Sequence, residues 1–175
     1  IWSFEVNSFP YNRAFVKIQD GCNNLCSFCK VRLARGISRS RPSEEIIREI
    51  TRLVSKGYKE IVLCGVNLGD WREGKKNLLE LLKEIIKVDN LERVRLSSLE
   101  PQYVSENLLE LISSTRKICS HLHLPFQSGS DKILRLMNKN VTSKFYFKLI
   151  ERIRRIIPDC GISCDVMVGF PFEDE

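Results

Sequence analysis

Five short β-branched runs, at residues 14–18, 60–64, 93–97, 121–124 and 162–168, alternate with stretches whose apolar residues recur every three or four positions. That alternation narrows the fold sharply. Ile46, Ile47, Ile50, Leu53 and Val54 mark one helix face that Ser43 can cap and Gly57 can end. Leu78, Leu82, Ile85 and Ile86 mark a second helix, and Leu108, Leu109 and Ile112 a third, capped by Ser105. Leu149, Ile150, Ile153 and Ile157 repeat the spacing before Pro158. Strands separated by helices need right-handed crossovers and so lie parallel, which predicts an α/β sheet or an incomplete barrel. In either, the loops leaving the carboxyl ends of the strands share one side, and chemistry gathers there. Those loops are residues 19–29, 65–70, 98–102, 127–131 and 169–173.

A chain of 175 residues can bury a core without disulfide staples, so its seven cysteines, an odd number, point to a reducing compartment and to metal chemistry. The cytoplasm is the expected location. A net charge of +6 suits a polyanionic partner but is also ordinary for solubility. The longest apolar stretches are broken by Lys83, Lys87 and Arg152, so no membrane span is expected. The chain opens on Ile1 without a secretory pattern, which reads as a piece of a longer protein.

Cys22, Cys26 and Cys29 form C-x3-C-x2-C directly after the first strand. Gly21, Asn23 and Asn24 permit the tight turns that bring three thiolates to one inorganic centre. A structural zinc site closes four ligands around the metal, usually as two pairs, and an electron-carrying ferredoxin also uses four cysteines per cluster. Three ligands instead leave one iron of a 4Fe-4S cluster open, and S-adenosylmethionine can chelate such an iron through its amino and carboxylate groups. A zinc-bound nucleic-acid module is the alternative from a different class. Cys64, Cys119, Cys160 and Cys164 read as small buried hydrophobes.

The motifs GCNNLCSFC at 21–29, ARG at 34–36 and SRP at 40–42 resemble the radical S-adenosylmethionine core of the tRNA methylthiotransferases. GVNLGDW at 65–71, RLSSLEP at 95–101, HLHLPFQSGSD at 121–131, LRLMNK at 134–139 and VGFP at 168–171 continue the match in order. The resemblance implies an incomplete parallel (β/α)6-type barrel over residues 13–175, whose last strand would follow the chain, with residues 1–12 as a linker from an amino-terminal domain. It implies a transferase that reductively cleaves S-adenosylmethionine and installs a methylthio group at C2 of an adenosine beside the anticodon of tRNA. The GVNLG and SSLEP blocks are most similar to the branch acting on N6-threonylcarbamoyladenosine, with the N6-isopentenyladenosine branch close behind. Cys22, Cys26 and Cys29 would hold the cluster, a second 4Fe-4S cluster would belong to the full-length protein, and a low-potential donor would supply electrons. The chain alone would then cleave S-adenosylmethionine at most. Where members continue GFP with Gly-Glu, Phe172 and Glu173 stand here.

The same resemblance places Phe28 near the adenine of S-adenosylmethionine, Gly65, Val66 and Asn67 at its methionyl amino group, and Gln127 and Ser128 at its ribose. Ser130 reads instead as a helix cap. Asp165 lies inside an apolar strand pattern, where an ionised carboxylate needs a partner, so it is expected to face the site. His121 and His123 share a strand face and read as hydrogen-bonded residues of the scaffold. Lys30, Arg32, Arg35, Arg39 and Arg41 crowd the segment after the cysteines without an acid among them. Arg32, Arg35 and Arg39 are the candidate RNA phosphate contacts, against the plainer reading of a solvated basic face. The basic run from Lys139 to Arg155 reads as surface.

Overall fold

All five expected strands form, and each runs parallel to its neighbours in the computed structural model, which describes Val6 and residues 8–174. In chain order the elements are β1 (Arg13–Lys17), β2 (Gln19–Asp20), α1 (Val31–Arg35), β3 (Arg39–Ser40), α2 (Ser43–Ser55) and β4 (Glu60–Cys64). There follow β5 (Arg72–Glu73), β6 (Lys76–Asn77), α3 (Leu78–Ile85), β7 (Arg93–Leu96), α4 (Glu106–Ser114), β8 (His121–His123), α5 (Asp131–Leu136), α6 (Ser143–Ile156) and β9 (Gly161–Ser163). β1, β4 and β7 make one ladder, with Phe15 opposite Val62 and Val62 opposite Arg95. A bridge from Val94 to Ile118 carries the run toward β8, which pairs with β9. The result is a parallel α/β partial barrel.

Alternation along the strands decides where the core sits. Ala14, Val16, Ile61, Leu63, Val94 and Leu122 are fully buried and join one hydrophobic cluster with the helices. The intervening residues on the opposite face include Phe15 and Val62, and with them Lys17, Cys64, Arg95, His121 and His123, polar groups that an apolar core would not accept unpaired. The helices pack on the first face, and the second carries these polar side chains.

Helix α2 buries Ile46, Ile50 and Leu53 completely, each worth about 1.5–3 kcal/mol. Ser43 is its first residue rather than its cap, and Glu73 of the β5–β6 hairpin accepts the Ser43 N–H at 3.1 Å in place of a local capping side chain. At α4, Ser105 Oγ does accept the Leu108 N–H, as expected. The last strand is shorter than its apolar pattern suggests: β9 ends at Ser163, and only a bridge between Gln127 and Val166 continues the pairing. Residues 1–5 and 7 of the expected linker lie outside the described residues; Phe9 packs on Phe15 and donates its N–H to the Tyr58 hydroxyl at 2.7 Å. No helix among the described residues is long and apolar enough to cross a membrane.

Candidate cofactor site

Cys22, Cys26 and Cys29 lie in the loop between β2 and α1, at the carboxyl end of the first parallel strand. That loop buries little of its own: Leu25 is 62% exposed and α1 has no buried residue. Polar ties hold it. Gly21 takes a φ of +71°, and a Cβ there would lie 2.0 Å from the Ile37 carbonyl oxygen, so only glycine lets the two backbones meet. Asp20, almost fully buried, accepts from Arg35 through both carboxylate oxygens at 3.0 Å and from Lys17 at 2.8 Å. Burial alone would raise its pKa, but Arg35, Lys17 and the Gly21 N–H outweigh burial and lower it to about 2. On the far side, the Ser27 N–H and hydroxyl donate to the carbonyls of Met137 and Leu136, and Asn138 donates to that of Leu25.

Gln19 gave no signal in the sequence and is the hub of this arrangement. Its side chain is fully buried, with Nε2 donating to Gly21 O at 2.7 Å, Ser38 Oγ at 2.9 Å and Asp20 O at 3.0 Å. Its Oε1 accepts the Asn67 N–H at 2.8 Å from the loop after β4. Asn67 is buried, its Nδ2 lies 4.0 Å from the Cys22 sulfur, and its Oδ1 is a buried acceptor without a hydrogen-bond partner. A buried amide acceptor left without a partner suits a cationic donor such as an ammonium group. Gly65 and Val66 precede it, half-buried and exposed. Trp71 anchors the far end of the loop, wholly buried and donating to Arg41 O at 2.9 Å.

Burial pushes the Cys22 and Cys26 thiols up, and the Glu100 carboxylate adds to the rise at both. Among the described residues, no three His, Cys, Asp or Glu side chains gather as ligands of a single ion. A structural zinc site closes four ligands around one metal, whereas a four-iron cluster can take three thiolates, each on a different iron. The donor set, three free cysteines of one loop, fits the latter. A hollow of about 260 Å³ next to Cys26 is bounded by Asn24, Gln102, Asn140 and the ion pair of Lys139 with Glu100 at 2.7 Å. Lys139 is thus buried by its acidic partner, against the surface reading of its run.

A second group of expected site residues meets at the ends of β8 and β9. Gln127 adopts a left-handed φ of +68°, unfavourable for a residue with a side chain, and its N–H donates to Asp165 O at 2.9 Å. Ser128 is buried, and its hydroxyl accepts the Ser130 N–H at 3.1 Å. Ser130 holds the cap position of α5 but makes no side-chain cap. Asp165 is not buried: its side chain is 64% exposed beyond the end of β9, with His123 Nε2 at 3.1 Å. His121 and His123 both meet Ser163 Oγ, at 3.1 and 3.0 Å. Cys164 is exposed for the same reason as Asp165, whereas burial raises the thiols of Cys64, Cys119 and Cys160. Phe28 is half-buried and does not join the side chains packed on the core.

The basic run divides. Arg41 is buried between Glu45 and Glu49 and faces no partner outside. Arg35 is committed to Asp20, though half its side chain remains exposed. Arg32 and Arg39 donate to the carbonyls of Asn23 and Arg35 and, among the described residues, form no ion pair.

A parallel partial barrel with a three-cysteine loop after its first strand defines a class of radical-generating enzyme core. Residues 16–175 match the model of the radical SAM superfamily, and the chain belongs to it. The superfamily's cofactors are a 4Fe-4S cluster and S-adenosylmethionine. The chain is 44% identical over 169 residues, 95% of its length, to the tRNA-2-methylthio-N(6)-dimethylallyladenosine synthase of Carboxydothermus hydrogenoformans. It is 40% identical over 173 residues, 98% of its length, to the threonylcarbamoyladenosine tRNA methylthiotransferase MtaB of Chlamydia pneumoniae. It spans 38% and 41% of those two proteins. Among solved structures, the radical S-adenosylmethionine methyltransferase TsrM of Kitasatospora setae, with tryptophan and a SAM analogue bound, shares the fold. The TM-score is 0.67 at 18% identity, over 88% of this chain and 29% of that one.

Proposed function

We propose that the chain is the radical-forming core of a tRNA methylthiotransferase, with N6-threonylcarbamoyladenosine beside the anticodon as its base. The observation that carries the reading is the meeting of the cysteine loop with the buried Asn67 side chain, whose Nδ2 lies 4.0 Å from the Cys22 sulfur, at the carboxyl end of the parallel sheet. Cys22, Cys26 and Cys29 would hold the cluster. Gly65, Val66 and Asn67 would receive the methionyl amino group, Phe28 would lie at the adenine, and Gln127, Ser128 and Asp165 would offer ribose partners. When bound, the pair supplies reductive cleavage of S-adenosylmethionine, with electrons from a low-potential donor. The chain's own residues hold the cofactor, fix its orientation through Gln19 and Asp20, and present a polar inner face to the substrate. Arg32 and Arg39, with the half-exposed Arg35, would meet tRNA phosphates, and the protein would work in the cytoplasm.

The relative named for dimethylallyladenosine, at 44% identity, supports N6-isopentenyladenosine as the second substrate reading. The complete protein, reconstituted anaerobically and given tRNA bearing each modified adenosine in turn, separates them by the mass of the product nucleoside. Methylthiolation of the threonylcarbamoyl base alone is expected, product from the isopentenyl base alone would reverse the assignment, and product from neither would refute the tRNA reading.

A further inference from the structure

Two loops of the candidate site come from different strands, and one side chain joins them. The cysteine loop leaves β2, and the loop carrying Gly65 and Asn67 leaves β4. Gln19 sits between them with its whole side chain out of solvent, donating to Gly21 O and Ser38 Oγ on one side and accepting the Asn67 N–H on the other. A buried amide that satisfies both its ends is a rigid spacer, because moving either loop alone would leave a donor or acceptor unpaired. Gly65 shows how tight the seat is: a Cβ there would lie 3.0 Å from Gln19 Oε1 and 3.1 Å from Gln19 Cβ. The Asn67 backbone thus takes its position from Gln19, and its side-chain Nδ2 is held 4.0 Å from the Cys22 sulfur as a consequence.

We propose that Gln19 is a positioning residue that sets the register between the cysteine loop and the 65–67 loop, so that a protein without it still takes up its cluster but binds S-adenosylmethionine poorly. The inference rests on the cofactor reading above. Gln19 touches no reacting atom. It acts by fixing the separation between two sets of contacts that one cofactor must satisfy at once, and such preorganisation is lost when the spacer is removed.

The test uses the complete protein and three variants. Gln19→Met keeps the length without the hydrogen bonds, and Gln19→Asn keeps an amide too short to span the loops. Leu53→Ala, in the helix packed on the sheet, removes a buried core side chain and serves as the control for a general loss of stability. Expected for both Gln19 variants are near-complete iron content, a dissociation constant for S-adenosylmethionine raised about tenfold or more, and a weakened change in the reduced cluster's spectrum on adding it. Leu53→Ala should bind S-adenosylmethionine as the wild type does once loaded with iron. Hydrogen exchange on the metal-free protein gives a readout independent of any cofactor: the Asn67 amide should exchange about tenfold faster in Gln19→Met, with the β1 and β4 amides unchanged. Wild-type affinity in either iron-loaded Gln19 variant would overturn the proposal. So would loss of iron from both while their exchange pattern stays native, or an Asn67 amide that keeps its protection. A wild-type protein that took up no iron would refute the cofactor reading instead, and the exchange experiment would still judge the tie.

Discussion

The cysteine loop and helix α2 follow one another in the chain and are held by opposite means. In α2, Ile46, Ile50 and Leu53 are wholly buried, and apolar packing is the main means by which the helix sits on the sheet. Between Gly21 and Arg39, Leu25, Leu33 and Ile37 are 62%, 81% and 62% exposed, and the segment stays in place through Gln19, the Asp20–Arg35 pair and bonds to the end of α5. Scaffold and site thus draw on separate sources of stability. The site loop gives up apolar burial, and in exchange its thiols stay near the surface, where a cofactor can reach them. Mutations should therefore break one region without the other.

The largest stability effect is expected in the packed region. Leu53→Ala should cost about 2–5 kcal/mol, read from denaturant unfolding, while iron bound per folded molecule stays at the wild-type value. A matching loss of iron would mean that the loop leans on the α2 core after all.

Asp20 comes next and carries a sign. Its carboxyl is lowered to about 2 from an ordinary 3.8, so its contribution is complete above about pH 4 and is lost as pH falls from there toward 2. With a side chain 4% exposed, that shift corresponds to about 2 kcal/mol. Asp20→Asn should lower stability at neutral pH by that order and flatten the acid limb of the stability–pH curve. An unaltered acid limb would show that the pair contributes nothing to holding the loop.

At the small end stands the exposed Arg48–Glu44 pair on the outer face of α2, at 2.6 Å with side chains 70% and 84% exposed. Arg48→Ala should change stability by no more than about 0.5 kcal/mol in the same unfolding experiment, because water screens such pairs. A larger loss would assign α2 an electrostatic anchor that its packing does not require.

The two regions also differ in what a sequence can reveal. The β4 strand, the apolar face of α2 and the Ser105 cap are local signals, and each was legible because its periodicity or cap lies within one element. The spacing of Cys22, Cys26 and Cys29 was equally local. Gln19 was not, since its partners are Gly21, Ser38 and Asn67, and nothing in a strand-end glutamine announces a tie across 48 residues. The same holds for Lys139 and Arg41, charged residues that pattern alone assigns to the surface and that Glu100, Glu45 and Glu49 draw inward. Asp165 failed in the other direction. Its apolar neighbours suggested a buried strand, but Val166 and Val168, 64% and 82% exposed, lie beyond the last residue of β9.

The chemistry of the site depends on which metal the cysteine loop takes, and anaerobic reconstitution of the complete protein with iron and sulfide measures that directly. Iron, sulfide and zinc are counted on the wild type, on Cys22→Ala, Cys26→Ala and Cys29→Ala singly, and on Cys160→Ala as the buried control. To count this loop's cluster alone, any other cysteine cluster in the protein is first removed by substitution. The account predicts four irons in the wild type and the Cys160 variant, with a spectrum that changes on adding S-adenosylmethionine, and none in the three loop variants, all still folded. Stoichiometric zinc without iron, or a cluster that survives the loss of Cys26, would contradict it.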